Sequence, residues 1–312
     1  AGPVSNTLSE GIGDDCAVLS PTDSPTLVTT DILIENTHFR TDITDFYNLG
    51  WKSIAVNISD IAAMGGTPTF TFLSIGLPDM QIDDAFELFK GIVDCTNNYG
   101  SIIAGGDTVS SPQGIAISIT QMGTAEPGRY LKRSKAKAGD KILVTGTLGD
   151  SIAGLKLLFR DGLEKSLASH PFLVQRHIKP YARLKEAQET AKTGFINSMM
   201  DLSDGLCKDL KRLCIASGVG ANVYADKLPV SDELIAGAAD LQTSAVDLAA
   251  AGGEDYELLF TCNSENVDYL AGCLSSVNCP VTVIGEITSD SDVKLISDNG
   301  SEISWPNPWE HF

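Results

Sequence analysis

The chain has 312 residues, with 22 lysines and arginines against 41 aspartates and glutamates, so its formal net charge is −19. This balance argues against a nucleic-acid partner, because phosphate contacts need clustered cationic side chains. The hydrophobic content of 43% supplies material for a large core, and no run approaches the roughly 20 apolar residues that span a bilayer. We therefore expect a soluble protein, with no membrane partner, that folds into two domains.

Cysteine and histidine usage narrows the kinds of site that the chain can build. The seven cysteines are an odd number and show no CxxC spacing, and there are only four histidines. This pattern supports neither a disulfide framework nor a zinc site, and scattered thiols are typical of the reducing cytoplasm. We expect carboxylates to organise any chemistry.

The first half of the chain alternates predicted strands and helices. The helix over 83–98 has apolar side chains at Phe86, Phe89, Ile92 and Val93 and begins after a capping aspartate. Period-two alternation predicts a half-buried strand over 114–120. The remaining predicted elements of this half are strands over 26–30 and 70–75 and a helix over 48–64.

A basic, glycine-punctuated stretch over 129–140 precedes a second cycle of elements, and we place the domain boundary there, giving domains 1–136 and 137–312. Strands of mixed order with helices on one side predict two α/β sandwich domains with mixed sheets. The predicted strands of the second domain are 141–145, 196–200, 221–224, 256–261 and 281–287, and the helices are 151–159, 182–193 and 206–217.

Acidic residues recur beside glycines at the ends of predicted strands. In chain order they are Asp14 and Asp15, Asp31 after Thr29 and Thr30, Asp60 three residues after Asn57, Asp107 after a glycine pair, Asp201 and Asp204 around Ser203, and Glu254 with Asp255. In α/β folds such positions converge on the carboxyl edge of the sheet, where ligands bind. Any one of them is equally well explained as a turn or helix cap, but six together favour a shared site.

Clustered carboxylates stay ionised only when cations neutralise them. Oxygen ligands without a cysteine or histidine pattern indicate Mg²⁺, which binds through carboxylates and substrate phosphates. The sequence therefore predicts a phosphoryl-transfer site, although neither GxxxxGK[ST] nor GxGxxG occurs in it.

The motifs GIGDDCAV, TTDILIENTHF, KSIAVNISDIAAMGG, GGDTVSS, GTLGDSIAGL, DLSDGL and GGEDYELLFT occur in this order. Together they resemble the thiamine-monophosphate kinases of the aminoimidazole-ribonucleotide synthetase-like ATP-binding superfamily, from Gly11 to Phe312. The resemblance implies two α/β domains, the N-terminal one binding ATP and Mg²⁺ and pairing in a homodimer, and the C-terminal one completing the active site. It also implies ATP-dependent phosphorylation of thiamine monophosphate to the diphosphate, with several Mg²⁺ ions.

The resemblance also implies roles for individual residues. The implied metal ligands are Asp15, Thr29, Thr30, Asp31, Asp60, Asp107, Asp201 and Asp204. The implied nucleotide contacts are Gly106, Asp107, Arg133 and Ser203, and the implied thiamine contacts are His38, Glu254 and Trp309. The implied catalytic group comprises Asp31, Asp107, Arg133 and Asp204. The γ-phosphoryl group would pass directly in line to the substrate phosphate, which is already ionised and needs no strong general base.

Each implied role has a simpler alternative. Arg133 can bridge phosphate oxygens, or it can be a surface charge of the interdomain stretch. His38 can donate to a substrate phosphate, or it can be a packed or capping histidine. Trp309 can cover a thiazolium or pyrimidine ring, or it can anchor the C-terminal tail.

Three alternatives within the superfamily remain: selenophosphate synthetase, a hydrogenase-maturation dehydratase and a purine-synthesis ligase. The first would want a reactive cysteine with a lysine in an N-terminal glycine loop, and the second a C-terminal cysteine. This chain ends in His311 and Phe312, and its last cysteine is Cys279. A non-enzymatic acidic cation-binding protein would explain the charge but would leave Arg133 without a role.

Overall fold

The computed structural model describes residues 8–10, 18–19 and 23–307, with side chains from 23 to 307. Asp15 and Trp309, both predicted site residues, lie outside this part of the chain. Strands β1 (Leu8–Glu10) and β2 (Val18–Leu19) pair antiparallel. The described chain from residue 23 divides into two compact units: the first domain comprises 23–61 and 66–130, and the second comprises 62–65 and 131–307.

The first domain contains a mixed four-stranded sheet. Its elements are β3 (Thr26–Ile34), α1 (Phe46–Ala63), β4 (Thr67–Leu77), α2 (Ile82–Asn98), β5 (Ile102–Ser110) and β6 (Ala116–Thr124). The strand order is β3-β6-β4-β5, so β3 and β5 are the two edges. The β4–β5 pair is parallel and the other two pairs are antiparallel. Along β6, Ile117 and Ile119 are buried and alternate with half-buried residues, as the period-two pattern predicts.

Helix α2 forms where the sequence predicts a helix, but it buries a different face. Leu88, Ile92 and Cys95 are fully buried, whereas Phe86 and Val93 are exposed. The cause is a close approach to α1, since a Cβ atom added at Gly91 would lie 1.9 Å from the carbonyl oxygen of Tyr47. This backbone contact fixes the rotation of α2, and side-chain periodicity alone does not report it.

The second domain contains a mixed seven-stranded sheet of order β13-β12-β9-β11-β7-β10-β8. Its pairs are antiparallel except β12–β9, and all five residues of β10 are buried. The strands are β7 (Lys141–Thr145), β8 (Ile196–Asp201), β9 (Gly220–Tyr224), β10 (Leu258–Cys262), β11 (Val281–Thr288), β12 (Val293–Ile296) and β13 (Glu302–Ile303). The helices are α3 (Asp150–Asp161), α4 (Leu163–Ser169), α5 (Pro171–Ile178), α6 (Leu184–Thr193), α7 (Leu206–Ser217), α8 (Asp232–Asp240), α9 (Ala245–Ala251) and α10 (Val267–Ser275).

The two mixed sheets confirm the predicted α/β class, and most predicted elements are found within a few residues. Two boundaries differ for physical reasons. Strand β10 begins at Leu258 rather than at residue 256, because Tyr256 has a left-handed φ of 52°. Strand β5 continues through its glycine pair to Ser110 instead of ending there, because the parallel ladder with β4 is unbroken from Phe72 onward. Within the described residues, no helix is long and apolar enough to cross a membrane.

Candidate active site

Three predicted ligands meet in the first domain, and we call Thr29, Asp31 and Asp60 the first-domain cluster. Thr29 and Asp31 lie two residues apart on β3, and alternate residues of a strand share a face. Asp60 lies in the last turns of α1, and its Oδ2 accepts a hydrogen bond of 2.6 Å from the Thr29 hydroxyl. A hydroxyl and two carboxylates are thereby gathered on one face of the sheet.

The pKa of the Asp31 carboxyl is raised above its ordinary value of 3.8. Desolvation by burial and, to a smaller extent, the negative charge of Asp60 together raise it to about 6. Part of the Asp31 side chain still reaches solvent. Each of these carboxylates makes ionisation of the other less favourable, so a bound cation would stabilise both in the ionised form.

The donor set of this cluster fits a hard divalent cation that also binds phosphate. Among the described residues no group of three or more acidic, histidine or cysteine side chains could hold a metal by itself. Two carboxylates and a hydroxyl nevertheless suffice for Mg²⁺, which retains waters and takes further ligands from substrate phosphates. Asn57, one turn before Asp60, adds a buried side-chain oxygen, Oδ1, that has no hydrogen-bond partner in the described chain.

The structure separates Thr30 from the cluster. Its hydroxyl donates to the Ile119 carbonyl at 3.0 Å and lies 3.1 Å from the Thr120 hydroxyl of β6. As the residue between Thr29 and Asp31, it projects to the opposite face of the strand. The Thr30 side chain therefore does not lie with those of Thr29 and Asp31, although the sequence predicts all three residues as metal ligands.

Gly106 and Asp107 lie on β5, at the other edge of the same sheet. Across the sheet, Asp31 pairs with Ile119 of β6, and Ile119 pairs with Leu73 of β4. Leu73 in turn pairs with Gly106 of β5, so these four residues form one cross-strand row. Three interstrand spacings separate β3 from β5, so Asp31 and Asp107 of one chain are about 14 Å apart. A Cβ atom added at Gly106 would lie 2.3 Å from the Leu73 carbonyl oxygen, so packing also requires glycine there. One chain does not bring Asp107 to the first-domain cluster.

His38 lies in the turn after β3. The Ile34 amide donates to His38 Nδ1 at 3.1 Å, and the His38 amide donates to the Ile34 carbonyl. Because Nδ1 accepts, the neutral ring carries its hydrogen on Nε2. The side chain is half-buried, and this tautomer presents a donor suited to a phosphate oxygen.

In the second domain, the predicted residues Asp201, Ser203, Asp204 and Glu254 form the second-domain cluster. Asp201 is the buried last residue of β8, and the loop from it leads into α7. The Glu254 amide donates to the Ser203 carbonyl at 2.7 Å, and two further backbone hydrogen bonds connect the same segments. The DLSDGL and GGEDYELLF motifs are therefore fixed side by side, as the sequence predicts for acids at a shared sheet edge.

Asp204 already has an internal cation. Arg212 Nη1 contacts its carboxylate and also donates to Asp209 at 2.8 Å. Asp209 in turn accepts from the Asp204 amide at 2.9 Å. Burial and the negative charge of Asp204 together raise the pKa of Asp209 to about 6, against the opposing effect of Arg212. No sequence pattern singles out Asp209 or Arg212, whose spacing is that of an ordinary surface helix.

Glu254 and Asp255 are both buried. Glu254 Oε2 lies 3.2 Å from His177 Nδ1 on α5. Asp255 accepts from the Gly149 amide at 2.8 Å, next to the start of α3. Burial raises the pKa of Asp255 to about 8, and the Gly149 hydrogen bond opposes that rise.

Behind this segment is a buried ion network made of Arg176, Arg183 and Glu257. Glu257 accepts from Arg176 at 2.7 Å, from Arg183 at 2.6 and 2.7 Å, and from Thr145 at 2.7 Å. Burial alone would raise the pKa of Glu257, but the two guanidinium groups and the hydrogen bonds hold it below its usual range. No sequence signal identifies this network, because Glu257 is more than 70 residues away from either arginine in the chain.

Arg133 is exposed, in a loop that runs along the edge strand β8. The Met199 amide donates to the Lys132 carbonyl, and Ser217 donates to the Arg133 carbonyl at 2.7 Å. The loop backbone is therefore fixed two residues along β8 from Asp201, while the Arg133 side chain extends from it.

Comparisons with known proteins identify the family of this chain. The N-terminal domain of AIR synthase related protein matches residues 13–125, and the C-terminal domain of the same family matches residues 137–298. A thiamine-monophosphate kinase of Salmonella typhimurium is 39% identical over 98% of this chain and 92% of that protein.

Solved structures show the same relationship. The crystal structure of thiamine-monophosphate kinase from Stenotrophomonas maltophilia has a TM-score of 0.85 and 35% identity, covering 93% of this chain and 91% of that one. AaThiL complexed with AMPPCP and TMP has a TM-score of 0.81 and 34% identity, covering 97% and 93%. The hydrogenase maturation protein HypE of E. coli, at 18% identity and a TM-score of 0.78, shares the fold. The chain belongs to the thiamine-monophosphate kinase family of the AIR synthase related proteins.

Proposed function

We propose that the protein transfers the γ-phosphoryl group of ATP to thiamine monophosphate, forming thiamine diphosphate and ADP. The observation that carries this proposal is the first-domain cluster, an arrangement of oxygen donors suited to cation-bound phosphates, in a chain 39% identical to a thiamine-monophosphate kinase. The similarity to AaThiL, solved with AMPPCP and TMP, supports the same pair of substrates.

Several Mg²⁺ ions are part of this proposal. Asp31, Asp60 and Thr29 would hold metal in the first domain, together with Asp15 and Asp107, and Asp201 and Asp204 would do so in the second. Bound Mg²⁺ neutralises phosphate charge and aligns the reacting oxygens. The raised pKa of Asp31 supports this assignment, because a bound cation offsets both of its causes, desolvation and the repulsion from Asp60.

The chain's own residues bind and orient the two substrates. Gly106, Asp107, Ser203 and Arg133 would contact the nucleotide, and a guanidinium group suits phosphate oxygens because it donates from a planar fork. His38 would donate from Nε2 to the substrate phosphate, while Glu254 and Trp309 would hold the thiamine rings. The acceptor phosphate is already ionised, so transfer proceeds in line without a protein nucleophile or strong base.

A homodimer completes the first-domain cluster in this proposal. The face of the sheet opposite the buried core exposes Val28, Ile32 and Ile34 on β3 and Val109 on β5. An exposed apolar face of this kind fits a second copy. Asp107 lies on this exposed face, in the same cross-strand row as Ile32. Such packing would therefore bring Asp107 of one chain toward β3 of the other, the strand that carries Asp31.

The two domains would divide the work. Residues 1–136 would supply ATP and Mg²⁺ binding and the dimer contact, and residues 137–312 would complete the active site. We place the enzyme in the cytoplasm, which is consistent with the free thiols of all six cysteines in the described range.

The test is to incubate the purified protein with ATP, Mg²⁺ and thiamine monophosphate and to separate the products by chromatography. We expect thiamine diphosphate and ADP in equal amounts, and no product after chelation of Mg²⁺. Selenide with ATP serves as a control for the activity of a related synthetase. A folded protein that forms no thiamine diphosphate above a no-enzyme control would overturn the proposal.

A further inference from the structure

The segment from Glu254 to Glu257 is held in an unfavourable backbone conformation. Glu254 and Tyr256 have φ angles of 64° and 52°, in the left-handed region that non-glycine residues rarely adopt. Such conformations persist only where the surroundings over-determine them, and they concentrate at functional sites. The contacts around Glu254 therefore indicate what its conformation serves.

His177 is the side chain that touches the Glu254 carboxylate from α5. Its Nδ1 lies 3.2 Å from Glu254 Oε2 and 3.1 Å from the buried Ser151 hydroxyl. An ionised carboxylate only accepts hydrogen bonds. In the tautomer that carries its hydrogen on Nδ1, the imidazole can donate to Glu254, with the Ser151 hydroxyl beside the same nitrogen.

The position of His177 is itself fixed. It is 7% exposed, in the last turn of an eight-residue helix. Its neighbour Arg176 donates to the Asp255 carbonyl at 3.3 Å and to Glu257 at 2.7 Å. The end of α5 is thus attached to the same segment at two residues that follow Glu254, and the imidazole has little freedom to move.

We propose that His177 is a positioning residue for thiamine monophosphate, which fixes the Glu254 carboxylate in the one orientation that pairs with the thiamine rings. This inference rests on the proposed function of Glu254 in substrate binding. It assigns His177 no contact with the reacting phosphates. The effect of His177 is specific to thiamine monophosphate, because Glu254 is the residue that binds that substrate. A carboxylate already held by a hydrogen-bond donor loses fewer orientations when the ligand binds.

The experiment compares His177→Ala, His177→Asn and Ser151→Ala with the wild type. We expect His177→Ala to raise the KM for thiamine monophosphate about tenfold or more, as for a lost hydrogen bond to a charged group, and to leave the KM for ATP within about twofold. Asparagine places an amide donor near the position of Nδ1 and should restore most of the loss. Ser151→Ala retains the His177–Glu254 contact and should change neither KM.

A second arm uses Glu254→Gln. If His177 acts through Glu254, the His177→Ala/Glu254→Gln double variant binds thiamine monophosphate no more weakly than Glu254→Gln alone. Additive losses would overturn the proposal, as would equal increases in both KM values. If His177→Ala does not fold, His177→Gln takes its place, because its donor lies near Nε2 and should not reach Glu254.

Calorimetric titration with thiamine monophosphate, without ATP, separates the two possible failures. A wild type that neither binds nor phosphorylates thiamine monophosphate overturns the proposed function and this inference with it. A wild type that binds it, beside a His177→Ala variant of unchanged affinity, overturns the role of His177 alone.

Discussion

The acids of the first domain and those of the second are held in opposite ways. In the first-domain cluster, Asp60 accepts a hydrogen bond from the Thr29 hydroxyl, and desolvation together with the charge of Asp60 raises the pKa of Asp31. In the second domain, Arg176 and Arg183 neutralise Glu257, and Arg212 contacts Asp204. The difference agrees with the proposal that cations from outside neutralise the first set, whereas much of the second set is structural support for the predicted ligands of that domain.

The largest effect should come from Asp31→Asn, which removes one of the two carboxylates of the first-domain cluster. We expect turnover to fall at least 10²- to 10³-fold, the typical loss when a group that stabilises transition-state charge is removed. Thermal stability without metal should stay equal or rise, because repulsion is relieved. Asp79→Asn, at an exposed position of the same domain, is the control and should change neither. An inactive Asp31→Asn variant that also melts well below wild type would show that Asp31 is structural.

Glu257→Gln should have the contrary effect, a loss of stability. Removing one partner of a buried ion pair leaves the other charges uncompensated and costs about 3–5 kcal/mol. The midpoint of urea unfolding should fall accordingly. Glu302→Gln is the control, because Glu302 is exposed and its nearest partner, Lys294, is 3.9 Å away, and such surface pairs contribute little. Equal urea midpoints for Glu257→Gln and Glu302→Gln would contradict the contrast between the acids of the two domains.

Mixed dimers test whether the first-domain cluster draws Asp107 from a second copy. Asp31→Asn and Asp107→Asn chains should each be inactive alone. After unfolding and refolding together in equal amounts, half of the dimers are mixed and each has one intact site, so about one quarter of wild-type activity should return. No recovery, with mixed dimers demonstrated by affinity tags on one chain, would place both acids in the site of a single chain.

The smallest effect is a pH dependence. The pKa of Asp31 in the folded protein, about 6, lies above its ordinary value of 3.8. Protonation of Asp31 therefore stabilises the metal-free protein, fully below about pH 4, and that stabilisation is lost as the pH rises through 6. Asp31→Asn should melt a few degrees above wild type at pH 8, and the two should converge near pH 4. Scanning calorimetry in EDTA measures the difference in melting temperature between Asp31→Asn and wild type. A difference that widens toward low pH would contradict the raised pKa of Asp31.

The sequence predicts the parts of the site that depend on short-range pattern. Alternation along β3 places Thr29 with Asp31, and strand-to-helix punctuation places Asp201 and Asp204 before α7. The same alternation also predicts that Thr30, which lies between Thr29 and Asp31, projects to the opposite face of β3. The order of the acidic motifs along the chain, more than the hydrophobic periodicity, identifies the family.

Other features depend on contacts that sequence spacing does not encode. His177 and Glu254 are 77 positions apart and meet only because α5 packs beside the segment before β10. The buried face of α2 follows from the backbone contact at Gly91. The distance between Asp31 and Asp107 follows from the strand order, in which β6 inserts between β3 and β4.

The most direct test of the central claim is a single-turnover reaction with ATP labelled in its γ-phosphate, excess protein, Mg²⁺ and thiamine monophosphate. The account predicts that the label appears in thiamine diphosphate at the rate at which ATP disappears, with none left on the protein after denaturation. Label released as inorganic phosphate, or retained covalently on the chain, would contradict direct transfer between the two substrates.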